Sequence, residues 1–272
     1  MPRRLAAPTG TDSSLRVLRV LWVPAAGSIA RVKTSAGLDT DAGEVSDTGA
    51  RLVVAVDGPS GAGKSSASRG VAAALGLRYL DTGAMYRALT WWLLQRGVDT
   101  SDPGAVAGLA AEPVIEVSTD PKAPWTRVDG ADVSEAIRSR EVTGAVSAVA
   151  AVPRVRAHLI AMQRDIIARA SGVVAEGRDI GTVVAPDAPV KVFLTADGAA
   201  RASRRATEAS WPAASTRAEQ DRRDRLDAAQ SEKAADAVVI DSTGLELDQV
   251  VATIVRLARE HAGISFPRQK SR

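Results

Sequence analysis

No cysteine occurs among the 272 residues, which excludes a disulfide framework and any thiolate metal site. Histidine is almost as scarce. His158 and His261 fall on helical patterns far apart with no ligand spacing between them, so each reads as a surface or boundary residue. No apolar stretch reaches the roughly 18 unbroken residues of a membrane span. The run Leu15 to Ala26 is interrupted by Arg16 and Arg19 and broken by Pro24. Nor is there a block of one charge: 35 basic side chains stand against 32 acidic ones, and the arginines are scattered among the acids. Neither nucleic acid nor a membrane is therefore the expected partner, whereas an anionic small molecule suits the composition.

The beginning of the chain differs from the rest. Its first 33 residues carry six basic side chains and one acid, Asp12, so a targeting leader has to be weighed against a disordered extension. Gly37 to Gly49, rich in Asp, Thr and Gly, reads as a solvated linker, and residues 1–50 together as an N-terminal extension. The last residues, 265–272, form a basic tail too short for a nucleic-acid arm.

The most informative stretch is VVAVDGPSGAGKSS, Val53 to Ser66. Four apolar, mostly β-branched residues make a buried strand, and Gly58-Pro59-Ser60-Gly61-Ala62-Gly63-Lys64-Ser65 fits the phosphate-loop pattern at every fixed position. The glycines let backbone amides approach phosphate oxygens, and Lys64 bridges the outer phosphates. Ser65 supplies a hydroxyl that can complete the shell of a magnesium ion, and Ser66 follows on the opening turn of a helix. The expected ligand is a nucleoside triphosphate.

Beyond this loop the chain alternates. Apolar runs at Leu52 to Val56, Leu77 to Leu80, Val173 to Ala175, Val190 to Leu194 and Ala237 to Ile240 are separated by helical patterns at Ala67 to Leu75, Ala84 to Gln95, Pro153 to Ala170 and Leu247 to His261. That alternation predicts an α/β fold, a parallel sheet sandwiched by helices. Ligands in such sheets sit beyond the carboxyl ends of the strands. Four of the five runs close there with an acid: Asp57, Asp81, Glu176 and Asp241. The phosphate loop, Asp81-Thr82-Gly83 and Glu176-Gly177-Arg178-Asp179 are thus expected to share one cleft. Arg87 is in position to reach back to it and clamp phosphate together with Arg178. Taken alone, a plain helix cap at Asp81 and a structural ion pair at 176–179 explain the same residues.

From Leu52 to about Ala262 the chain resembles the bacterial cytidylate kinases, P-loop nucleoside monophosphate kinases that move a phosphoryl group from ATP to CMP or dCMP. The resemblance rests on VDGPSGAGKSS at 56–66, LDTGAMYR at 80–87, ADVSEAIRS at 131–139, VSAVAAVPRVR at 146–156, VVAEGRDIGTVVAPDAPVKVFLTA at 173–196 and RRDRLD at 222–227. It implies ATP with magnesium at the loop, and Arg87 and Arg178 on the acceptor phosphate. Thr82, Ser147, Arg156 and Asp179 would recognise cytosine. Arg223 and Asp227 would close over the nucleotide, with Asp227 near the ribose. It further implies a core built from 51–97, 151–206 and 236–264, a monophosphate-binding insertion at 98–150 with short strands at Val114 to Val117 and Thr126 to Val128, and a lid at 207–235. A cytoplasmic monomer acting on small molecules is the matching expectation.

The lid departs from the family pattern. Thr207 to Thr216 is short and contains Trp211-Pro212, and Gln230 stands where the family places an arginine. A nucleotide-binding relative with weak turnover, acting as a sensor or scaffold, therefore stays open beside the active kinase. A switch GTPase is disfavoured: Asp241-Ser242-Thr243-Gly244 matches D-x-x-G near the C-terminus, but no [NT]-K-x-D base-reading motif occurs.

Overall fold

A computed structural model describes residues 51–209, 222, 224–227 and 231–262. The expectations for 1–50, for the lid residues Arg223 and Gln230 and for the tail lie outside them.

The β-branched run at 52–56 becomes the central strand of a five-stranded parallel sheet. In chain order the strands are β1 (Leu52–Asp57), β2 (Arg78–Asp81), β6 (Gly172–Glu176), β7 (Val190–Thr195) and β8 (Val238–Asp241), and across the sheet they run β2-β6-β1-β7-β8. The register is continuous: Val54 faces Val174 on one side and Val190 on the other. Side-chain alternation along β1 divides the core, because Ala55 turns toward one face while Leu52, Val54 and Val56 turn toward the other. Helices α1 (Lys64–Leu75) and α7 (Leu247–Ala262) cover the second face. The first face is covered by α2 (Thr82–Gln95), α4 (Arg140–Ala151) and α5 (Pro153–Arg169). Pro153 at the start of α5 turns the chain by 96° from α4, as a residue without an amide hydrogen does at a helix start. Among the described residues no single helix is long and apolar enough to cross a membrane.

Between α2 and α4 lie α3 (Pro103–Leu109), a three-stranded antiparallel sheet of β3 (Ile115–Val117), β4 (Thr126–Val128) and β5 (Ala131–Asp132), and a 3-10 turn at Ala136–Arg138. Val106, Ile115, Val128 and Ile137 pack into the same apolar cluster as Ala55 and Leu80, so this piece is seated on the sheet's first face. Trp92, 5% exposed, ties it down by donating from Nε1 to Asp129 Oδ2 at 2.8 Å. Trp91 packs against the same cluster, so the Trp91-Trp92 pair is part of the packing.

Two of the apolar runs are less buried than their composition alone would suggest. Val238 and Val239 are 40% and 52% exposed, because β8 is an edge strand rather than one covered on both faces. Leu247 is 47% exposed, and the buried stripe of α7 begins at Val250 and continues through Ile254, Leu257 and Ala258.

Gly58 shows how little room the loop leaves. Its φ is 145°, and a Cβ there would lie 2.0 Å from the carbonyl oxygen of Leu194 on β7. That contact requires the backbone of β1 or β7 to move. Gly58→Ala is expected to lower stability by about 3 kcal/mol or more, strain and a steric clash acting together. Denaturant titration checks this, and a loss below about 1 kcal/mol would show that the loop can shift freely.

Candidate active site

The loop between β1 and α1 is held by its carbonyls. Gly58 O accepts from Arg178 Nη1 at 3.0 Å, Pro59 O from Lys64 Nζ at 2.8 Å, and Ser60 O from Arg201 Nη1 at 3.2 Å. Ser242 Oγ lies 3.1 Å from Ala62 O and 3.0 Å from Thr195 O, with its one proton to donate to either carbonyl. Ser242 in turn accepts from Arg204 Nη1 at 2.9 Å, and its carbonyl accepts from Arg204 Nη2 at 2.7 Å. The D-x-x-G match at 241–244 is therefore a brace for the loop. Asp241 serves its own turn, accepting from Thr243 N at 2.9 Å. Gly61 and Gly63 take positive φ of 78° and 89°, which glycine alone adopts without strain, and Gly63 leads directly into α1.

One cleft opens above the carboxyl ends of β1, β2 and β6. Lining it are Ser60, Gly61, Gly63, Lys64, Ser65 and Ser66 from the loop side, and Asp81, Thr82, Gly83 and Arg87 from the start of α2. Glu176, Gly177, Arg178 and Asp179 follow β6 into the cleft, and Arg138, Ser147, Arg156, Arg205 and Asp227 also line it. Gly58 and Ala62 are buried and Pro59 half-buried, and none of the three lines the cleft. The three sequence clusters expected to share a cleft do share it, and the order of strands is the reason: β6, carrying 176–179, lies between β1 and β2.

Most of the charged groups in the cleft are paired within the protein. Arg87 Nη1 donates to Ile137 O at 3.1 Å and to Thr143 Oγ1 at 2.9 Å, so it is no solvated surface arginine. Arg156 is paired with Asp179. Asp227 accepts from Ser147 Oγ at 2.8 Å and from Arg178 Nε at 3.3 Å, which joins the helical segment 224–227 to α4 and to the end of β6. Nearby, Arg201 donates to Asp224 Oδ2 at 2.6 Å. Thr82, 3% exposed, donates from Oγ1 to the Glu176 carbonyl at 2.7 Å, and Asp81 caps α2 by accepting from Ala84 N at 2.9 Å.

The sequence reading gave no individual role to three residues that organise this end of the sheet. Glu176 is 3% exposed and accepts from Ser65 Oγ at 3.1 Å through Oε2, and from the Tyr79 hydroxyl through Oε1. Asp57, closing β1, faces away from the nucleotide side. Its two oxygens each accept at 2.8 Å from the amides of Ile180 and Gly181, capping a single π-helical turn at Ile180–Val184. The signal in the sequence was the run of acids at strand ends, but their two destinations depend on side-chain direction, which that pattern does not carry.

Electrostatics here are dominated by burial. It pushes the Lys64 ammonium down from its usual range, helped by the Arg178 charge, with Glu176 and Asp57 opposing. Burial likewise pushes Glu176 up, with Asp81, its register partner across β2 and β6, adding to the shift and Lys64 opposing it. Tyr79 is held above its ordinary range by burial and by Glu176, so its hydroxyl is a proton donor.

A family profile described as cytidylate kinase matches residues 54–260. The chain belongs to the cytidylate kinase family. A cytidylate kinase of Streptomyces griseus is 54% identical over 212 residues, covering 76% of this chain and 92% of its own. One from Streptomyces avermitilis is 51% identical over 215 residues, 77% and 93% of the two chains. A third, from Nocardia farcinica, is 48% identical over 218 residues, 77% and 94%. The lysine–phosphate pairing that this membership and the loop suggest has a measurable signature. In the empty cleft Lys64 holds its proton less tightly than a free lysine, and a polyphosphate beside it restores that hold. Binding of metal-free ADP is then expected to take up protons in the window between the depressed and the restored pKa, and affinity to fall as pH rises through it. Calorimetry at about pH 8 in buffers of differing ionisation enthalpy reads the uptake, for at that pH the phosphates of ADP carry no proton of their own. The uptake should vanish in Lys64→Met, and equal uptake in both proteins would assign it elsewhere.

Proposed function

We propose that this chain transfers the γ-phosphoryl group of ATP to CMP or dCMP, giving ADP and CDP or dCDP. The observation that carries the reading is the single cleft in which the phosphate loop faces the arginines Arg87, Arg156 and Arg178, in a chain of this family. A hydroxyl acceptor would call for a general base at the acceptor end, whereas a phosphate acceptor is already an oxyanion at neutral pH and calls for cations. Here the charged groups answer the second need.

On this reading Gly58 to Ser66 cradle the ATP phosphates, with Lys64 leaving the Pro59 carbonyl for the outer phosphates. Arg87 and Arg178 grip the acceptor phosphate, Arg178 being released from Asp227 as the nucleotide arrives. Their planar forks suit phosphate oxygens, and each loses a protein acceptor only to gain a charged one. Asp179, oriented by Arg156, accepts from the exocyclic amine of cytosine, and uracil would set a carbonyl against the same carboxylate. Thr82 and Ser147 border this base site, and Asp227 lies where the ribose would be. Arg223 belongs to the same closing segment. The insertion 98–150 serves as the monophosphate-binding lobe, 207–235 as the lid, and the core acts as a cytoplasmic monomer.

The oxygen donors at the loop fit magnesium. Ser65 Oγ and Glu176 Oε2 lie 3.1 Å apart, Asp81 is adjacent, and all are hard ligands of the kind that ion takes, directly or through its waters. When bound with ATP, magnesium neutralises charge developing on the bridging phosphate oxygens. The protein's own part is alignment: it brings two anions into line, offsets their repulsion with Lys64 and the arginines, and keeps water out.

ADP formation by the full chain with ATP and magnesium, comparing CMP, dCMP, UMP, AMP and no acceptor, tests this directly. Turnover with CMP and dCMP is expected to exceed that with every other acceptor. Arg178→Ala should lower kcat by roughly 10³-fold while ADP still binds. Equal use of UMP and CMP would remove Asp179 and Arg156 from the base site. Binding of ATP and CMP with no turnover above the acceptor-free control would overturn the kinase.

A further inference from the structure

Tyr79, one of two tyrosines in the chain, has no place in the reading above. It sits on β2 with its ring in the apolar layer under α1, beside Val71, Leu75 and Val174, and is 2% exposed. A phenylalanine would fill that layer equally well. The hydroxyl is what needs explaining, since a phenol carried into a dry layer requires a partner at its tip. Its partner is Oε1 of Glu176, reached across the β2–β6 pair.

The consequence concerns the other oxygen. Glu176 Oε2 accepts from Ser65 Oγ at 3.1 Å, so each carboxylate oxygen has its own donor, Tyr79 on β2 and Ser65 at the start of α1, and the Tyr79 and Ser65 hydroxyls are hydrogen-bonded to each other as well. The backbone of the same residue is fixed as well, its carbonyl accepting from Thr82 Oγ1 at 2.7 Å. A glutamate side chain has three rotatable bonds, and Asp81 beside it repels its charge. Without the phenol, no hydrogen bond from β2 among the described residues opposes rotation of the carboxylate away from Ser65.

We propose that Tyr79 is a positioning residue for the metal–phosphate end of the cleft: by holding Oε1 it keeps Oε2 of Glu176 aimed at Ser65, where the magnesium that accompanies the nucleotide is received. This rests on the reading of Ser65 and Glu176 as the magnesium-facing pair. Tyr79 touches neither nucleotide nor metal and acts through Glu176 and Ser65. Outer hydrogen-bond partners of this kind commonly govern metal affinity over 10- to 100-fold.

Calorimetric titration of the full chain with ADP, with magnesium and with a chelator, separates this role from packing. The ratio of the two affinities is the readout, and it is taken within each protein, so a general loss of stability falls on both arms. Tyr79→Phe is expected to shrink the ratio by roughly 10-fold while metal-free affinity stays unchanged. Glu176→Gln should shrink it at least as much. An unchanged ratio in Tyr79→Phe, or equal losses with and without magnesium, overturns the proposal. If the ratio survives in Tyr79→Phe but collapses in Glu176→Gln, Tyr79 is a packing residue and the metal reading of Glu176 stands. If it survives in both, the magnesium-facing pair itself is wrong and the proposal falls with it.

Discussion

An ammonium and a carboxylate are buried together at the carboxyl end of the parallel sheet, Lys64 at 8% exposure and Glu176 at 3%. Removing either charge from water costs several kcal/mol unless its surroundings answer it. Each partly offsets the other's burial, and local partners offset more of it: Pro59 O for Lys64, Tyr79 and Ser65 for Glu176. The balance is incomplete on both sides. Arg178 adds a second positive charge against Lys64, and Asp81 a second negative one against Glu176. A cleft with a surplus of both signs is suited to a ligand that carries both, and a metal–polyphosphate is such a ligand. On the proposed function its anionic oxygens would answer Lys64 and Arg178, and its cation Glu176 and Asp81.

The arginines of the cleft follow the same logic. Arg178 rests on Asp227 and Gly58 O, Arg156 on Asp179, Arg201 on Asp224, and Arg87 on Ile137 O and Thr143. An arginine left to wander in solvent would lose rotamer freedom on binding phosphate. One already held on a protein acceptor has lost most of it, and exchange of one acceptor for another needs only a short displacement. Asp227 has a double part in this, for it joins α4 through Ser147 to the end of β6 through Arg178. A nucleotide that took Arg178 away would also loosen that tie.

Much of this was legible in the sequence because it is periodic or fixed in spacing. The strands at 52–57, 172–176 and 190–195 announce themselves as β-branched runs, and the phosphate loop as a pattern with little freedom. What escaped depends on direction and position in the sheet. Val238 and Val239 read like core residues, yet β8 is an edge, and strand order is not written in any one strand. Asp57 and Glu176 are both strand-end acids, but Asp57 caps the turn at 180–184 and Glu176 faces Ser65. Tyr79 could not be singled out, since a tyrosine in an apolar strand is ordinary until the partner of its hydroxyl is seen.

The loop's shape is finally a matter of where its carbonyls go. Gly58 O, Pro59 O, Ser60 O and Ala62 O are taken by Arg178, Lys64, Arg201 and Ser242, and Gly63 O by the amide of Ala67 in α1 at 3.0 Å. Three of those five donors are cations. Along a chain of peptide units, fixing the carbonyls in one direction biases the intervening amides toward the other, which is the geometry of an anion nest. Gly58 enforces the same result sterically, since its backbone lies against Leu194 of β7 with no room for a side chain. The capacity to hold phosphate therefore does not reside in the loop sequence alone. It requires β7, the Arg201–Arg204 face of α6 (Gly198–Ala209) and the turn at 241–244, which lie well over a hundred residues further along the chain and close around the loop only once the sheet has formed.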